Sequence, residues 1–332
     1  MSLWEAVDYL IDRAEEPGDL EAHGLQVLAA RRWRATGRLV PPEFLAAEQM
    51  SAMVALAIPV ELARVRSILA APIVVLKGPE IAARYPDSVL RPVGDLDLLV
   101  PDADSAQRGL LAAGYELNDA LEYRSLHHQP ALRWPGSPLP IELHCTLNAP
   151  AWVAVPPVSN LITAAVKSAT GIAGILALSP QDHALAVSAH AWKHGPFSRF
   201  LDLLDVAVLS EGMDRASLAA HAQRWHMHRL WSATIAATDA LSSGQSVPWW
   251  TRQVWARHLG APRERTVSEA YLMRWLSGCW ASSLSEVPGA VGWFIWRDVR
   301  PREGEHWLTK LARIVDTSRY ALRPLSARRD HG

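Results

Sequence analysis

The chain has little that would mark it as a secreted or disulfide-bonded protein. It carries only two cysteines, Cys145 and Cys279, which lie far apart in the sequence. Such a pair offers no disulfide framework and suits a reducing compartment. The N-terminus, MSLWEAVDYLIDRAEE, is acidic and amphipathic, unlike the basic start and apolar core of a signal peptide. We therefore expect a cytoplasmic location.

Excess charge of one sign and long apolar runs are also missing. The net charge is -1 and the sequence pI is about 6.9, so no global basic field favours nucleic acid as a partner. The small basic cluster RRWR at 31–34 leaves contact with RNA open, although a solvated helix face is the favoured interpretation. No stretch approaches the roughly 18 apolar residues of a membrane span, so no membrane partner is expected.

The spacing of apolar residues divides the chain into three parts. Residues 1–70 repeat apolar positions at three and four, which predicts helices, with Pro59 kinking or splitting the third. From Pro72 the pattern changes to short β-branched and alternating runs, and from about Pro157 it is helical again. These patterns predict an α+β protein, with an N-terminal helical segment (1–70), a small mixed-sheet core (71–150) and a C-terminal helical domain (151–332).

Two acids lie inside a strand-like apolar run, VGDLDLLV. Residues two apart in a strand point to the same face, so Asp95 and Asp97 project together. Two such carboxylates repel each other and are costly to bury, but a bound Mg²⁺ or Mn²⁺ keeps them ionised. The alternative is a solvated strand end. The apolar surroundings, and Gly94, which permits close approach to the backbone, favour the metal site.

A third carboxylate on a neighbouring strand completes a typical two-metal phosphoryl-transfer site. The candidate is Glu142 in the strand-like segment PIELHC, where His144 shares its face.

A candidate phosphate site lies just upstream, in VVLKGPEIAARYP. A strand that runs through Lys77 and Gly78 into a helix start presents free backbone N–H groups and a mobile cation. Arg91, ahead of the acidic strand, is a second candidate phosphate partner, the alternative being an ordinary surface arginine.

Together these segments resemble an uncharacterised bacterial nucleotidyltransferase family of the DNA polymerase beta-like superfamily. The resemblance covers about residues 60–210 and is most specific in the spacing from the Lys-Gly pair to GDLD, followed by IELH. It continues through RGLLAAGYEL and a later helical stretch, LSPQDHALAVSAHAWKHGPFSRFLDLLDVAVL. The superfamily commonly has Gly-Ser where this chain has Lys77-Gly78-Pro79, which leaves triphosphate binding less defined.

The resemblance implies a metal-dependent transfer of a nucleoside monophosphate from a triphosphate, with ATP favoured, onto an unidentified acceptor. It assigns Asp95 and Asp97 as ligands of both metals, and Glu142 as the third carboxylate and base. His190 and Lys193 share a helix face and are implied to contact phosphate or acceptor. The acceptor is a small molecule, a peptide or protein, or, less favoured, a tRNA. Replacing Asp95 and Asp97 is expected to cost several orders of magnitude in rate while leaving the fold intact, because repulsion is relieved.

Two other interpretations stay open. A catalytically idle nucleotidyltransferase fold that serves as a binding module would need no acids, but the sequence retains all three. A zinc hydrolase is the third, because His190 and His194 are four residues apart on one helix face. Its weakness is that no thiolate or carboxylate companion has ligand-like spacing.

Overall fold

The computed structural model of the chain describes residues 3–118, 127–243, 262–301 and 304–326, with no side-chain description for 242 and 243. Most of the strand-like segment LEYRSLHH, three of the C-terminal tryptophans (Trp249, Trp250 and Trp255) and the tail after residue 326 lie outside the described residues.

Helices dominate both ends of the described chain, and strands occupy its middle. The α-helices are α1 (Leu3–Ile11), α2 (Pro17–Ala22), α3 (Gln26–Ala35), α4 (Pro42–Ile68), α5 (Pro79–Ala82), α6 (Ala103–Ala112), α7 (Val158–Thr163), α8 (Pro180–His194), α9 (Phe200–Ser210), α10 (Arg215–Arg224), α11 (His228–Ser243), α12 (Val267–Leu276), α13 (Val287–Val299) and α14 (Trp307–Arg319). Short 3₁₀ turns occur at Ser88–Leu90 and Ser277–Trp280. The strands are β1 (Ile73–Val75), β2 (Leu96–Leu99), β3 (Glu116–Leu117), β4 (Leu132–Arg133), β5 (Pro140–His144), β6 (Val166–Lys167) and β7 (Ile175–Ala177).

The strands form one mixed sheet in the order β3-β4-β5-β2-β1-β7-β6. Strand β2 runs parallel to β5 and antiparallel to β1, and β1 runs parallel to β7. This confirms the predicted α+β class, with a mixed-sheet core between helical segments. The sequence predicted a return to helix from about Pro157, including LITAAVKSAT; that prediction was wrong for β6 and β7, which complete the sheet. Strands of two and three residues are too short for their periodicity to separate them from helix.

The two faces of the sheet pack against different helices. Ile73, Val75, Leu96 and Leu98 face a core that includes the buried stripe of α4 and the apolar side of α6. The alternate residues, such as Val74 and Leu99, belong to the larger core with α1, α3, α8 and α9. Because alternation places Asp97 and Glu142 with this second set, the acids lie between the sheet and the helices.

Helix ends follow the local sequence. Asp102 caps α6 by accepting a hydrogen bond from the Ser105 amide at 2.9 Å. Ser179 caps α8, which has Pro180 in its first turn and ends at Gly195 with φ +146°. These two helices directly follow β2 and β7 in the chain.

Helix α4 continues through Pro59 as one element of 27 residues, whereas the sequence predicted a kink or a split there. By length and composition alone α4 could cross a membrane, and within the described residues it is the one helix of that kind. Val54, Ile58, Leu62 and Val65 of α4 pack against the sheet, and 28% of the most apolar stretch of this helix is buried.

Candidate functional site

The centre of the site is a pair of acids on adjacent parallel strands. Asp97 of β2 and Glu142 of β5 are directly opposite each other in the register. Strands in this relation place equivalent side chains on the same face, so both carboxylates project toward the helical layer that contains α8. The sequence prediction that Glu142 joins the β2 acids therefore agrees with the geometry of the sheet.

Asp97 is 3% exposed, and two groups neutralise its charge. Lys77 Nζ lies 2.9 Å from Asp97 Oδ2, and His144 Nε2 lies 2.7 Å from Asp97 Oδ1. Burial alone would raise the pKa of Asp97, but the Lys77 ammonium and the hydrogen bond from His144 outweigh it and hold that pKa well below its usual value. Asp97 is therefore ionised in the folded protein.

Asp95 stands in the opposite situation. It makes no hydrogen bond or ion pair with any residue in the described ranges, although it is only partly exposed. Burial, followed by repulsion from Asp97, raises the pKa of Asp95 to about 6, against the opposing pull of Lys77. The pKa values of the two acids are thus shifted in opposite directions, and Asp95 is the acid that has no cationic partner.

Gly78 allows the turn after β1 to approach β2. It has φ +55°, and a Cβ at this position would lie 3.0 Å from Val93 Cγ1 and 3.5 Å from the Asp95 carbonyl oxygen. Both the backbone conformation and the space disfavour a side chain. The helix that follows, α5, has only four residues, and the cation at this turn is Lys77.

Imidazoles line the Glu142 side of the site. His144 Nε2 and His128 Nε2 lie 3.6 Å and 3.7 Å from Glu142 Oε2. The rings of His127 and His128 are 5.8 Å and 5.3 Å from that of His144. Burial, and then the neighbouring cationic groups, lower the pKa of His127 to about 3.

Two further histidines reach the site from α8. His190 Nε2 accepts a hydrogen bond from Lys77 Nζ at 3.2 Å, and Asn148 Nδ2 donates to His194 Nε2 at 2.9 Å. Burial and the adjacent Lys77 charge keep the pKa of His190 well below its usual value, so His190 is a neutral acceptor. The zinc pair suggested by the His190 and His194 spacing is not supported, because Lys77 and Asn148 already hold these two nitrogens.

Arg91 is tied to a helix. Its guanidinium donates to Asp205 of α9, with Nη2 at 2.8 Å from Oδ2, and Nη1 donates to the Pro92 carbonyl at 3.0 Å. Tyr85 Oη donates to the other oxygen of Asp205 at 2.8 Å. Burial would lower the pKa of Arg91, but the Asp205 charge outweighs it and raises that pKa. These contacts favour a structural role for Arg91. The proposal that Arg91 contacts phosphate stays a prediction.

Lys193 and Gly94 lie at the margins of the site. Lys193 Nζ is 4.9 Å from the centre of the Trp293 ring on α13, and burial lowers its pKa. Gly94 is exposed, and a Cβ there would meet nothing within 4 Å. The structure thus gathers Asp95, Asp97, Glu142, Lys77 and His190, whereas Lys193 contacts the C-terminal helices.

A comparison with protein families identifies the family to which the chain belongs. A family model described as uncharacterised nucleotidyltransferase matches residues 20–242, which is more than half of the chain. The chain is a member of this nucleotidyltransferase family. The matched region contains the entire sheet and helices α8 to α10. Comparisons with curated proteins and with solved structures gave no match.

The donor set fits the divalent ion that nucleotidyltransferases typically use. One ligand atom each from Asp97, Glu142 and His144 lies within 4.8 Å of the others, at a partly open position on the sheet. Two of the three are carboxylates, which suit a hard ion, and Asp95 lies nearby without a cationic partner of its own. The residues present are therefore compatible with an ion at this point.

The sequence did not place His128 or Asn148 in the site, and it suggested His194 only as a zinc ligand together with His190. The only available signal for His128 was the His127-His128 pair in a strand-like stretch. For Asn148, it was its place just after β5. Neither signal predicts a partner, because the contacts join segments separated by 14 to 46 residues.

The pKa of Asp95 predicts a pH-dependent stability for the metal-free protein. The unfolded carboxyl ionises near pH 4 and the folded one at about 6, so the folded state binds the extra proton between these values. Stability should therefore fall as the pH rises through this window and remain lower above it.

Asp95→Asn should remove that loss. We expect the variant to be about 1–3 kcal/mol more stable than the parent at pH 8 in the presence of chelator, and to show no gain near pH 3.5. Urea denaturation at both pH values measures the effect. A variant that is less stable at pH 8 would contradict the electrostatic state assigned to Asp95.

Proposed function

We propose that the protein is a metal-dependent enzyme that transfers a nucleoside monophosphate from a nucleoside triphosphate. ATP is the favoured donor, and the acceptor is a hydroxyl or similar group on a small molecule, a peptide or a protein. A tRNA is less favoured because the chain carries a net charge of only -1. The observation that carries the proposal is the in-register pair of Asp97 and Glu142, with Asp95 and Lys77 beside it.

The proposed reaction is one displacement at the α-phosphorus. The acceptor oxygen forms a bond to that phosphorus, the bond from phosphorus to the α,β-bridging oxygen breaks, and pyrophosphate leaves. The acceptor proton passes to the Glu142 carboxylate, which faces the site and makes no hydrogen bond within 3.5 Å to the described residues. Most of the rate enhancement in such a reaction comes from positioning and from neutralising charge.

Asp95, Asp97 and Glu142 would hold the divalent ions, which supply charge neutralisation at the phosphates and at the attacking oxygen. His144 keeps Asp97 oriented through its 2.7 Å hydrogen bond. His190, as a neutral acceptor, holds the Lys77 ammonium at the edge of the site. These residues form the part of the site that exists before any substrate binds.

Lys77 is proposed to serve the triphosphate. In the absence of nucleotide its ammonium is shared between Asp97 and His190, at 2.9 Å and 3.2 Å. A lysine stem has four rotatable bonds, so the same ammonium can turn toward phosphate oxygens when they arrive. Its position after β1, at a glycine turn, is compatible with this movement.

One observation favours the second candidate, a catalytically idle binding module. Asp97 already has a complete set of partners in Lys77 and His144, so the fold needs no ion to neutralise it. The presence of Asp95, which is only partly exposed and has no such partner, argues for catalysis, because an idle module gains nothing from an unpaired acid at this position.

Differently labelled triphosphates distinguish the two candidates. The full chain with Mg²⁺ or Mn²⁺ is incubated with each of the four α-labelled triphosphates and with γ-labelled ATP, in the presence of cell extract or candidate acceptors. The enzyme should place α-label on an acceptor and release γ-label as pyrophosphate. Transfer of γ-label to the acceptor would identify a kinase instead, and absence of transfer from every triphosphate would support the idle module.

Glu142→Gln tests the proposed base. The amide retains the size of the side chain but accepts no proton, so we expect the transfer rate to fall by about 10²- to 10⁴-fold. Glu116→Gln, on the exposed edge strand β3, is the matched control and should transfer at the parent rate. An unchanged rate in Glu142→Gln would remove Glu142 from the mechanism.

A further inference from the structure

His128 is fixed beside the acidic pair by backbone pairing. It forms an isolated antiparallel bridge with His144, the Gln129 amide donates to the Leu143 carbonyl at 2.9 Å, and the Cys145 amide donates to the His127 carbonyl at 2.9 Å. This segment therefore continues the sheet next to β5, and the position of His128 is set by the strand and not by a free loop.

The ring of His128 places its Nε2 near Glu142. Its Nδ1 is 2.7 Å from the Gln129 carbonyl oxygen, and since a carbonyl only accepts, Nδ1 carries the proton. In the neutral ring Nε2 is then an acceptor, and it lies 3.7 Å from Glu142 Oε2. Two acceptors that face each other across this distance are unfavourable unless the ring is protonated or a cation lies between them.

This is the arrangement that metal-binding histidines use. Such a histidine donates one ring N–H to a backbone carbonyl, which fixes the tautomer and turns the other nitrogen toward the ion. Ligand atoms about 2.1 Å from one ion stand roughly 3–4 Å apart, and the separation of His128 Nε2 from Glu142 Oε2 lies in that range. His144 Nε2, at 3.6 Å from the same oxygen, borders the position from the other side.

We propose that His128 and Glu142 bind a divalent ion together, and that the imidazole makes this position prefer a first-row transition ion such as Mn²⁺ over Mg²⁺. Imidazole nitrogen raises affinity for transition ions much more than for Mg²⁺, which favours oxygen ligands and water. The inference deepens the proposed function by naming the class of ion. It rests on the proposed function only for the role that the ion plays in the reaction.

Metal binding without nucleotide tests the inference directly. Bound metal is first removed from the full chain with chelator. The affinities for Mn²⁺ and Mg²⁺ are then measured by calorimetry. Mn²⁺ binding is also followed by the loss of the electron paramagnetic resonance signal of free Mn²⁺, with Mg²⁺ as competitor. We expect Mn²⁺ to bind about tenfold or more tightly than Mg²⁺. His128→Ala should lose most of this preference by weakening Mn²⁺, whereas His228→Ala, exposed at the start of α11, should retain it.

Equal affinity of the parent for the two ions would overturn the inference, and so would an unchanged preference in His128→Ala. The second result would mean that His128 and Glu142 form an ion pair with a protonated ring. Failure of the proposed function can be distinguished from failure of this inference. If no label is transferred but the Mn²⁺ preference is intact, the proposed function is wrong and the metal site is still supported.

Discussion

Asp97→Asn is expected to lower the rate of nucleotidyl transfer by about 10³-fold or more. The new amide would retain one oxygen for hydrogen bonding but would carry no charge, and it would replace a carboxylate that is 3% exposed and opposite Glu142 in the register. Removal of one preorganised electrostatic contact to a developing transition state typically costs about 10²- to 10³-fold, and loss of a metal ligand adds to it. Initial rates with α-labelled ATP measure the change.

The same variant should also lose stability, in contrast to Asp95→Asn. The sequence predicts that replacing either acid leaves the fold intact because repulsion is relieved. For Asp97 the contacts contradict that reason, since its charge is paired with Lys77 at 2.9 Å and hydrogen-bonded to His144. Removing it leaves the ammonium without its counter-ion. The two neighbouring acids should therefore shift the free energy of unfolding in opposite directions.

Asp87→Asn is a suitable control for the rate measurement. Asp87 pairs with Arg31 at 2.8 Å and both side chains are about 40% exposed, so the change should leave transfer unaffected. A parent-like rate in Asp97→Asn, once folding has been verified, would show that Asp97 does not take part in the reaction.

Asp205→Ala is expected to destabilise the protein by about 3–5 kcal/mol. Its carboxylate, 1% exposed, accepts from both Arg91 and Tyr85, and its removal leaves a buried guanidinium and a buried hydroxyl without their partner. Breaking one side of a buried ion pair is costly because the other charge stays desolvated. Since Arg91 lies four residues before Asp95, this contact also ties the entry of β2 to α9.

Asp202→Ala on the same helix provides the matched control. Asp202 pairs with Arg199 at 2.8 Å, but that arginine side chain is 50% exposed. Pairs of this kind contribute about 0–1 kcal/mol, so Asp202→Ala should unfold close to the parent in urea. Equal losses in the two variants would show that burial of the Arg91 pair is not what makes it important.

The sequence predicts the elements of the site better than their partners. Alternation along GDLDLLV and PIELHC was sufficient to place Asp97, Glu142 and His144 on matching faces, because strand geometry fixes the direction of alternate side chains. These features depend on neighbours two or three residues away, and the sequence contains all of them.

Contacts between distant segments were beyond local rules. The pairing of Arg91 with Asp205 spans 114 residues, and that of Lys77 with His190 spans 113. Strand β7 pairs with β1, which lies about 100 residues earlier in the chain, and β6 pairs with β7. The division at residues 70 and 150, the cytoplasmic location and the roles of the individual site residues stay predictions.

The most direct measurement is binding of a non-hydrolysable triphosphate, α,β-methylene ATP, by calorimetry to the parent and to Asp97→Asn. If Asp95, Asp97 and Glu142 hold ions that grip the phosphates, the parent should bind the analogue at least about tenfold more tightly with Mn²⁺ or Mg²⁺ than with chelator. The variant should lose that gain. Binding that is equally tight without a divalent ion, or equally ion-dependent in Asp97→Asn, would contradict a metal-bound triphosphate at these acids.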